Sequence, residues 1–197
     1  IPESMEPHYM AAGHQIAGIK NIFEGLIFLD ENLQLKPALA ESWEPVSDKI
    51  WRFHLRKGVK FHNGETMTGH DVKFSFDRVP KVAGPDGGLV INTRNISSVK
   101  VVDDYTVLIE TTVANPVLPQ DIYRIGIVPR SIGNTTVDEM NSGKKAIGTG
   151  PFKFSSFKAR ESFVVDAHKD YWAGPAAWNK VSFLEISNDA ARVAALT

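Results

Sequence analysis

Three histidines, His54, His62 and His70, stand at even spacing, and an adjacent carboxylate pair, Asp103 and Asp104, follows them. These residue types hold metal ions or move protons. Their neighbours weaken both readings. His54 is flanked by Arg52 and Arg56, whose charge opposes a divalent ion, and His62 opens a His-Asn-Gly turn. Asp71, beside His70, is placed to cap a helix. Asp103-Asp104 separates two β-rich runs, where Asp favours a turn. Gly148-Thr149-Gly150 has the composition of a phosphate loop, yet Pro151 and a strand pattern follow it, so the helix N-terminus that supplies donors is missing. The chain carries no Gly-x-Ser-x-Gly elbow, no His-Glu-x-x-His, no P-loop and no dinucleotide fingerprint. Catalytic residues, metal ligands and cofactors are therefore not expected.

Composition narrows the classes further. The 197 residues carry 22 basic and 23 acidic side chains, a formal net charge of −1, which lacks the basic excess of a nucleic-acid binder. The 43% hydrophobic content is enough for a buried core, and no apolar run is long enough to span a bilayer. With no Cys, disulfides and thiolate chemistry are excluded together.

The elements read as follows. Ile16, Ile19, Phe23, Leu26 and Ile27 have helical spacing, with Gly25 as a stop and Leu26 to Leu29 as a short strand. Residues 36–43 read as irregular. Ile50 to Arg56 alternates with period two, setting Trp51, Phe53 and Leu55 on one face. Thr68 and Asp71 form a capping-box start for a helix carrying Val72, Phe76 and Val79, closed by Pro80. Residues 81–95 read as a long loop, 99–111 as a hairpin, 125–128 as a strand, 152–167 as a second hairpin and 181–186 as the last strand. Trp172 and Trp178 flank Ala-Gly-Pro and are expected to pack a loop. The fold class is α/β with strand-rich α+β character. A helix that has barely begun at Asp189 to Leu196 leads us to expect a fragment of a longer protein.

Four blocks then occur in order: Ala40-Glu-Ser-Trp43, Phe53-His-Leu-Arg56, Phe61-His-Asn-Gly64 and Asp71-Val-Lys-Phe-Ser75. Together they resemble the signature of the family 5 extracellular solute-binding proteins, the peptide- and nickel-type receptors of ABC importers. Glu6-Pro-His8, Ile22-Phe-Glu-Gly-Leu26, Ile127-Val-Pro129, Ile147-Gly-Thr-Gly-Pro-Phe152 and Asp170-Tyr-Trp172 extend the resemblance along the chain.

The resemblance implies a type II periplasmic-binding-protein-like fold, of which this chain is the first lobe only, with the second lobe absent. Residues 1–35 and 147–197 would form a hinge-proximal sheet subdomain, and 36–146 an inserted subdomain. The implied function is capture of a peptide-like small solute by two-lobe closure, for delivery to an ABC permease. The protein would be a monomer without nucleic-acid partners, periplasmic or extracellular, with a removed leader as a means of membrane anchoring. By the same resemblance the candidate ligand contacts are Tyr9, His14, Gln15, Tyr123, Arg124 and Thr149. Arg124 suits a ligand carboxylate and equally a surface salt bridge. His14 suits contact, helix capping or solvent. Two alternatives remain beside this reading: an isolated lobe serving as an interaction module, and a hydrolase built on the carboxylate and histidine hints. Trp43, within the signature, is expected in the core.

Overall fold

The period-two alternation of Ile50 to Arg56 becomes the central strand of an antiparallel sheet in the computed structural model, which describes residues 2–9, 12–82, 84 and 87–195, the side chain of His14 excepted. That strand, β4 (Ile50–Leu55), pairs with β3 (Ala40–Pro45) on one side and β6 (Thr106–Thr111) on the other. Strand β5 (Ile96–Asp103) completes the order β3-β4-β6-β5. Phe53 and Leu55 point into the core, while His54 faces solvent beside Glu44. Trp43, opposite Phe53 on the edge strand β3, packs against the core as the signature suggests but stays half-buried, because β3 has no further strand beside it.

Helix α2 (Gly69–Arg78) packs on this sheet through Val72 and Phe76. Its start is the expected capping box: Asp71 Oδ2 accepts the Thr68 N–H at 2.8 Å. Asp71 Oδ1 also accepts the Arg130 N–H at 3.0 Å, tying a distant segment to the helix start. Gly69 stands where the helix touches the sheet; a Cβ there would lie 2.9 Å from Val107 Cγ1.

A second antiparallel sheet, β7 (Phe152–Lys158), β8 (Ser162–Ala167) and β9 (Lys180–Leu184), is built from the two C-terminal runs read as strands. A two-stranded hairpin, β1 (Ile27–Leu29) with β2 (Leu35–Pro37), precedes the large sheet. The remaining helices are short: α1 (Gly13–Ile19), α3 (Val90–Thr93), α4 (Leu118–Ile122), α5 (Val137–Asn141) and α6 (Asp189–Ala194). All strand pairings among the described residues are antiparallel, which gives the mixed architecture its α+β character. No helix among them is long and apolar enough to cross a membrane.

Four expectations change. Helix α1 stops at Ile19 instead of running to Gly25, because residues 22–25 turn away to pass close to the chain at 123–125. A Cβ on Gly25 would meet Tyr123 O at 2.9 Å. Residues 36–43 are ordered into β2 and β3, with Pro37 at an edge that needs no donor. The loop at 81–95 holds α3. Residues 125–128 are buried without joining a sheet, their donors going instead to Glu24 O (Ile127 N, 2.8 Å) and Ser75 Oγ (Val128 N, 2.9 Å).

The apolar side chains form two cores. The first lies between the large sheet, α2 and α4, around Phe53, Phe61, Phe76 and Ile109. The second lies under β7 and β8, where Phe152 and Phe163 meet Met5, Ile22 and Phe23. The segment 22–26 passes between them, Phe23 into the second core and Leu26 into the first.

Candidate ligand-binding site

Between these cores the turn at 23–25, the β1–β2 hairpin and the turn after β8 enclose a cavity of about 420 Å³. Phe23, Ile27, Phe28, Pro37 and Ala38 give it an apolar wall, and Trp172 closes one side. The alternation of β1 explains part of this wall: Ile27 is buried while Phe28 is 44% exposed at the opening.

The polar floor is Glu24. Its Oε1 accepts the Tyr171 hydroxyl at 2.7 Å, and its Oε2 accepts Trp172 Nε1–H at 3.0 Å and the Thr149 hydroxyl at 2.8 Å. Burial pushes the Glu24 carboxyl above its ordinary range, and the three donors oppose that shift. The Tyr171 phenol is raised, by burial first and then by the Glu24 charge. Arg56 lies 4.2 Å from the centre of the Trp172 ring, a cation–π contact that holds the indole in place.

Lys20 and Tyr123 also line the cavity. Lys20 Nζ is 4.7 Å from the centre of the Tyr123 ring, and the Arg124 guanidinium is 5.3 Å from the same ring. Arg124 Nε also donates to the Tyr123 hydroxyl oxygen at 2.8 Å. Burial, followed by the charge of Arg124, lowers the Lys20 pKa.

The glycine-rich turn at 148–150 lies behind Glu24. Gly148 N–H donates to His62 Nδ1 at 3.3 Å, which leaves His62 Nε2–H to donate to Gly150 O at 3.0 Å. His168 Nδ1 is 3.2 Å from the same oxygen, and the two imidazoles meet edge to face at 4.9 Å. His62 is held down to about 4 by burial, so it is a neutral structural clamp at pH 7. The evenly spaced histidines do not converge: His54 faces solvent on the sheet, and His70 is exposed at the start of α2. Among the described residues no group of three or more His, Asp or Glu side chains is placed to hold a metal ion. Asp103 Oδ1 accepts the Tyr105 N–H at 2.8 Å, a turn role.

Of the residues singled out in the sequence, Tyr123, Arg124 and Thr149 come together here. Tyr123 lines the cavity, Arg124 is hydrogen-bonded to it, and Thr149 is fully buried against Glu24. Gln15 and Tyr9 lie elsewhere. Gln15 is fully buried; its Oε1 accepts Glu3 N–H at 2.7 Å and its Nε2 donates to Ser4 O, so it fastens the N-terminal segment. Tyr9 O accepts Gly84 N–H at 2.9 Å. The side chain of His14 lies outside the described residues. Lys20, Glu24 and Tyr171 carry no role in the sequence reading, and Trp172 is expected there only to pack a loop, although Glu24 and the Tyr171-Trp172 pair sit in two of the quoted motifs.

Residues 34–197 match the family described as bacterial extracellular solute-binding proteins, family 5 middle. The chain is 27% identical to the periplasmic oligopeptide-binding protein OppA of Salmonella typhimurium over 210 residues, covering 95% of this chain and 38% of OppA. It is 31% identical to the oligopeptide-binding protein AppA of Bacillus subtilis, covering 89% of this chain and 33% of AppA. It thus spans well under half the length of these relatives. Among solved structures, AppA of Bacillus subtilis in complex with a nonapeptide superposes with a TM-score of 0.86 at 27% identity, over 99% of this chain and 40% of AppA. NikZ from Campylobacter jejuni in complex with Ni(L-His) superposes with a TM-score of 0.85 at 27% identity, over 98% of this chain and 39% of NikZ. Proteins of this kind bind solutes and are not enzymes. With its signature blocks in order and its fold shared over almost its whole length, the chain belongs to the family 5 bacterial extracellular solute-binding proteins.

Proposed function

We propose that this chain is part of the solute-capturing component of an ABC importer and takes up a peptide-like small solute. The observation that carries this reading is the half-open apolar cavity floored by the Glu24–Tyr171–Trp172 cluster. Small-solute sites are concave, mostly apolar, and furnished with a few fixed polar groups. The peptide class is supported by OppA and AppA, which are oligopeptide-binding proteins. Closure of a second lobe over the cavity would bury the solute, and the closed form would dock on a membrane permease outside the cytoplasm. The protein acts as a monomer in this scheme.

In the same reading, residues 1–35 and 147–197 form the hinge-proximal subdomain and 36–146 the inserted one. The two cores follow this division in part: Val128, Ile132, Met140 and Ala146 of the inserted part pack into the second core, and Leu26 packs into the first. The test is capture: the full-length gene product, mixed with a pepsin digest of casein and washed, is expected to retain peptides identifiable by mass spectrometry. Its Trp fluorescence should change on mixing, because Trp172 walls the cavity. Retention of nothing, with no fluorescence change, overturns the proposal.

A further inference from the structure

We infer that His62 is a positioning residue of the solute site and the trigger of its release in acid. Neutral, it fixes the turn that carries Thr149; a proton from solvent on its Nδ1 frees that turn and loosens Glu24. The inference rests on the solute-binding reading above and adds what holds the cavity floor in place.

All three donors to Glu24 hang from one junction. His62 grips the turn at 148–150 from both ends: Nδ1 accepts the Gly148 N–H at 3.3 Å, and Nε2–H donates to Gly150 O at 3.0 Å. Its backbone N–H also donates to Gly148 O at 2.9 Å. Thr149, between those glycines, gives its hydroxyl to Glu24 Oε2. His168 joins from the other side, with Nδ1–H on Gly150 O at 3.2 Å and its backbone N–H on Pro151 O at 2.8 Å. The His168 carbonyl accepts the Tyr171 N–H at 3.2 Å, which sets the turn presenting Tyr171 and Trp172 to Glu24. Gly150 N–H reaches Ile22 O at 2.9 Å, so a shift of the glycine turn also reaches the backbone that leads into Glu24.

Only one protonation state of His62 fits this junction. Nδ1 faces a backbone N–H and needs its lone pair; a proton there sets two donors against each other. His168 differs, because its Nδ1 already donates and a second proton leaves that bond intact. Burial, then the charges of His168 and Lys153, hold His62 down to about 4, while its bond to Gly150 opposes them. Lys153 Nζ stands on His62 O at 3.3 Å, and Asp170 opposes Lys153 at His168. Glu24, beyond Thr149, is raised by burial and also gains a proton in acid. Capture is therefore complete at neutral pH and falls as pH drops through about 4.

The experiment loads the full-length gene product, immobilised, with a pepsin digest of casein at pH 7 and washes it in steps of falling pH, with circular dichroism following the fold. Retained peptide on the parent is expected to fall by about twofold at pH 4 and about fourfold at pH 3.5, as the competent neutral form is depleted. His62→Asn keeps an acceptor oxygen where Nδ1 lies and cannot titrate. It should hold less than the parent at pH 7, having lost Nε2–H, and release less on acidification. His62→Leu removes the acceptor and should retain about tenfold less peptide at pH 7 with its fold intact. Acid profiles of the parent and His62→Asn that coincide overturn the inference and leave the solute-binding reading standing. A folded His62→Leu variant that retains as much as the parent does the same. If one variant does not fold, the other decides. Retention of nothing by the parent at pH 7 overturns the solute-binding reading and this inference together.

Discussion

Arg78, in the last turn of α2, closes a two-pronged ion pair on Glu6, with Nη1 to Oε1 at 2.6 Å and Nη2 to Oε2 at 2.5 Å, and both side chains are almost wholly buried. This pair fastens the N-terminal segment, and with it the approach to α1, onto the helix that carries the large sheet. Removing one partner leaves an uncompensated charge in the interior. Glu6→Gln or Arg78→Met is therefore expected to destabilise by about 3–5 kcal/mol. Glu6→Gln combined with Arg78→Met should cost less than the two single changes added together. Urea midpoints at constant slope measure both.

His8 completes that cluster and makes it sensitive to acid. Its Nε2–H donates to Gly126 O at 2.8 Å, so Nδ1 is the acceptor facing Arg78 Nη1 at 3.2 Å. Burial, with Arg78 adding to it and Glu6 opposing, lowers its pKa from 6.5 to about 4. The unfolded chain thus takes up a proton near pH 6.5 that the folded chain refuses until about pH 4. Stability from this group is complete above pH 6.5 and is lost as pH falls toward 4, by about 3 kcal/mol in all. His62 adds a contribution of the same sign. His8→Gln keeps a donor for Gly126 and should flatten the acid limb measured by urea unfolding between those pH values; an unchanged slope contradicts the assignment.

The turn at 148–150 is glycine-rich because other backbone runs against it. A Cβ on Gly148 would lie 2.0 Å from Ile22 O, and one on Gly150 would lie 2.5 Å from Asn21 O. Neither carbonyl is the end of a flexible side chain. Gly148→Ala must move the 22–24 segment and with it Glu24, at a cost of about 3 kcal/mol or more. Gly133→Ala is the contrast: its φ of 62° disfavours a side chain, yet no atom would lie within 4 Å of the new Cβ. It is expected to cost about 1–3 kcal/mol from backbone strain alone. Thermal midpoints of the two variants test the order.

Most of the framework was legible because it is local. Period-two alternation specified β4, the hairpin pattern at 152–167 specified β7 and β8, and the Thr68–Asp71 box specified the start of α2. What the sequence concealed depends on contacts between distant segments. Residues 125–128 carry the apolar run of a strand but are satisfied by Ser75 and Glu24, so they join no ladder. The candidate site is of the same kind. Tyr123, Arg124 and Thr149 could be picked out by resemblance, but Glu24 meets Tyr171 across 147 positions, a relation no spacing rule reaches. Trp172 read as loop packing because its partners, Arg56 and Glu24, are remote in the chain.

Glu24 gives the last prediction, since its two simplest replacements should differ. In Glu24→Gln the amide oxygen can turn toward Trp172 Nε1 and Thr149, and the amide nitrogen can donate to the Tyr171 oxygen, which leaves the Tyr171 O–H as the one donor that must turn to a new acceptor. Burial of a charged carboxylate is relieved at the same time, and the variant should fall within about 1 kcal/mol of the parent. Glu24→Leu is close in size but leaves the Tyr171, Trp172 and Thr149 donors buried without acceptors, at a cost of about 3 kcal/mol or more. The pH dependence separates them further. Because burial raises the folded-state pKa of Glu24 above 4.5, its contribution is fully present below that pH and is lost as pH rises through the raised value. Both variants should remove this loss, so Glu24→Gln should gain on the parent as pH increases from 4 to 7. A Gln variant that weakens relative to the parent over that range would show that the three donors outweigh burial and hold the carboxylate charged.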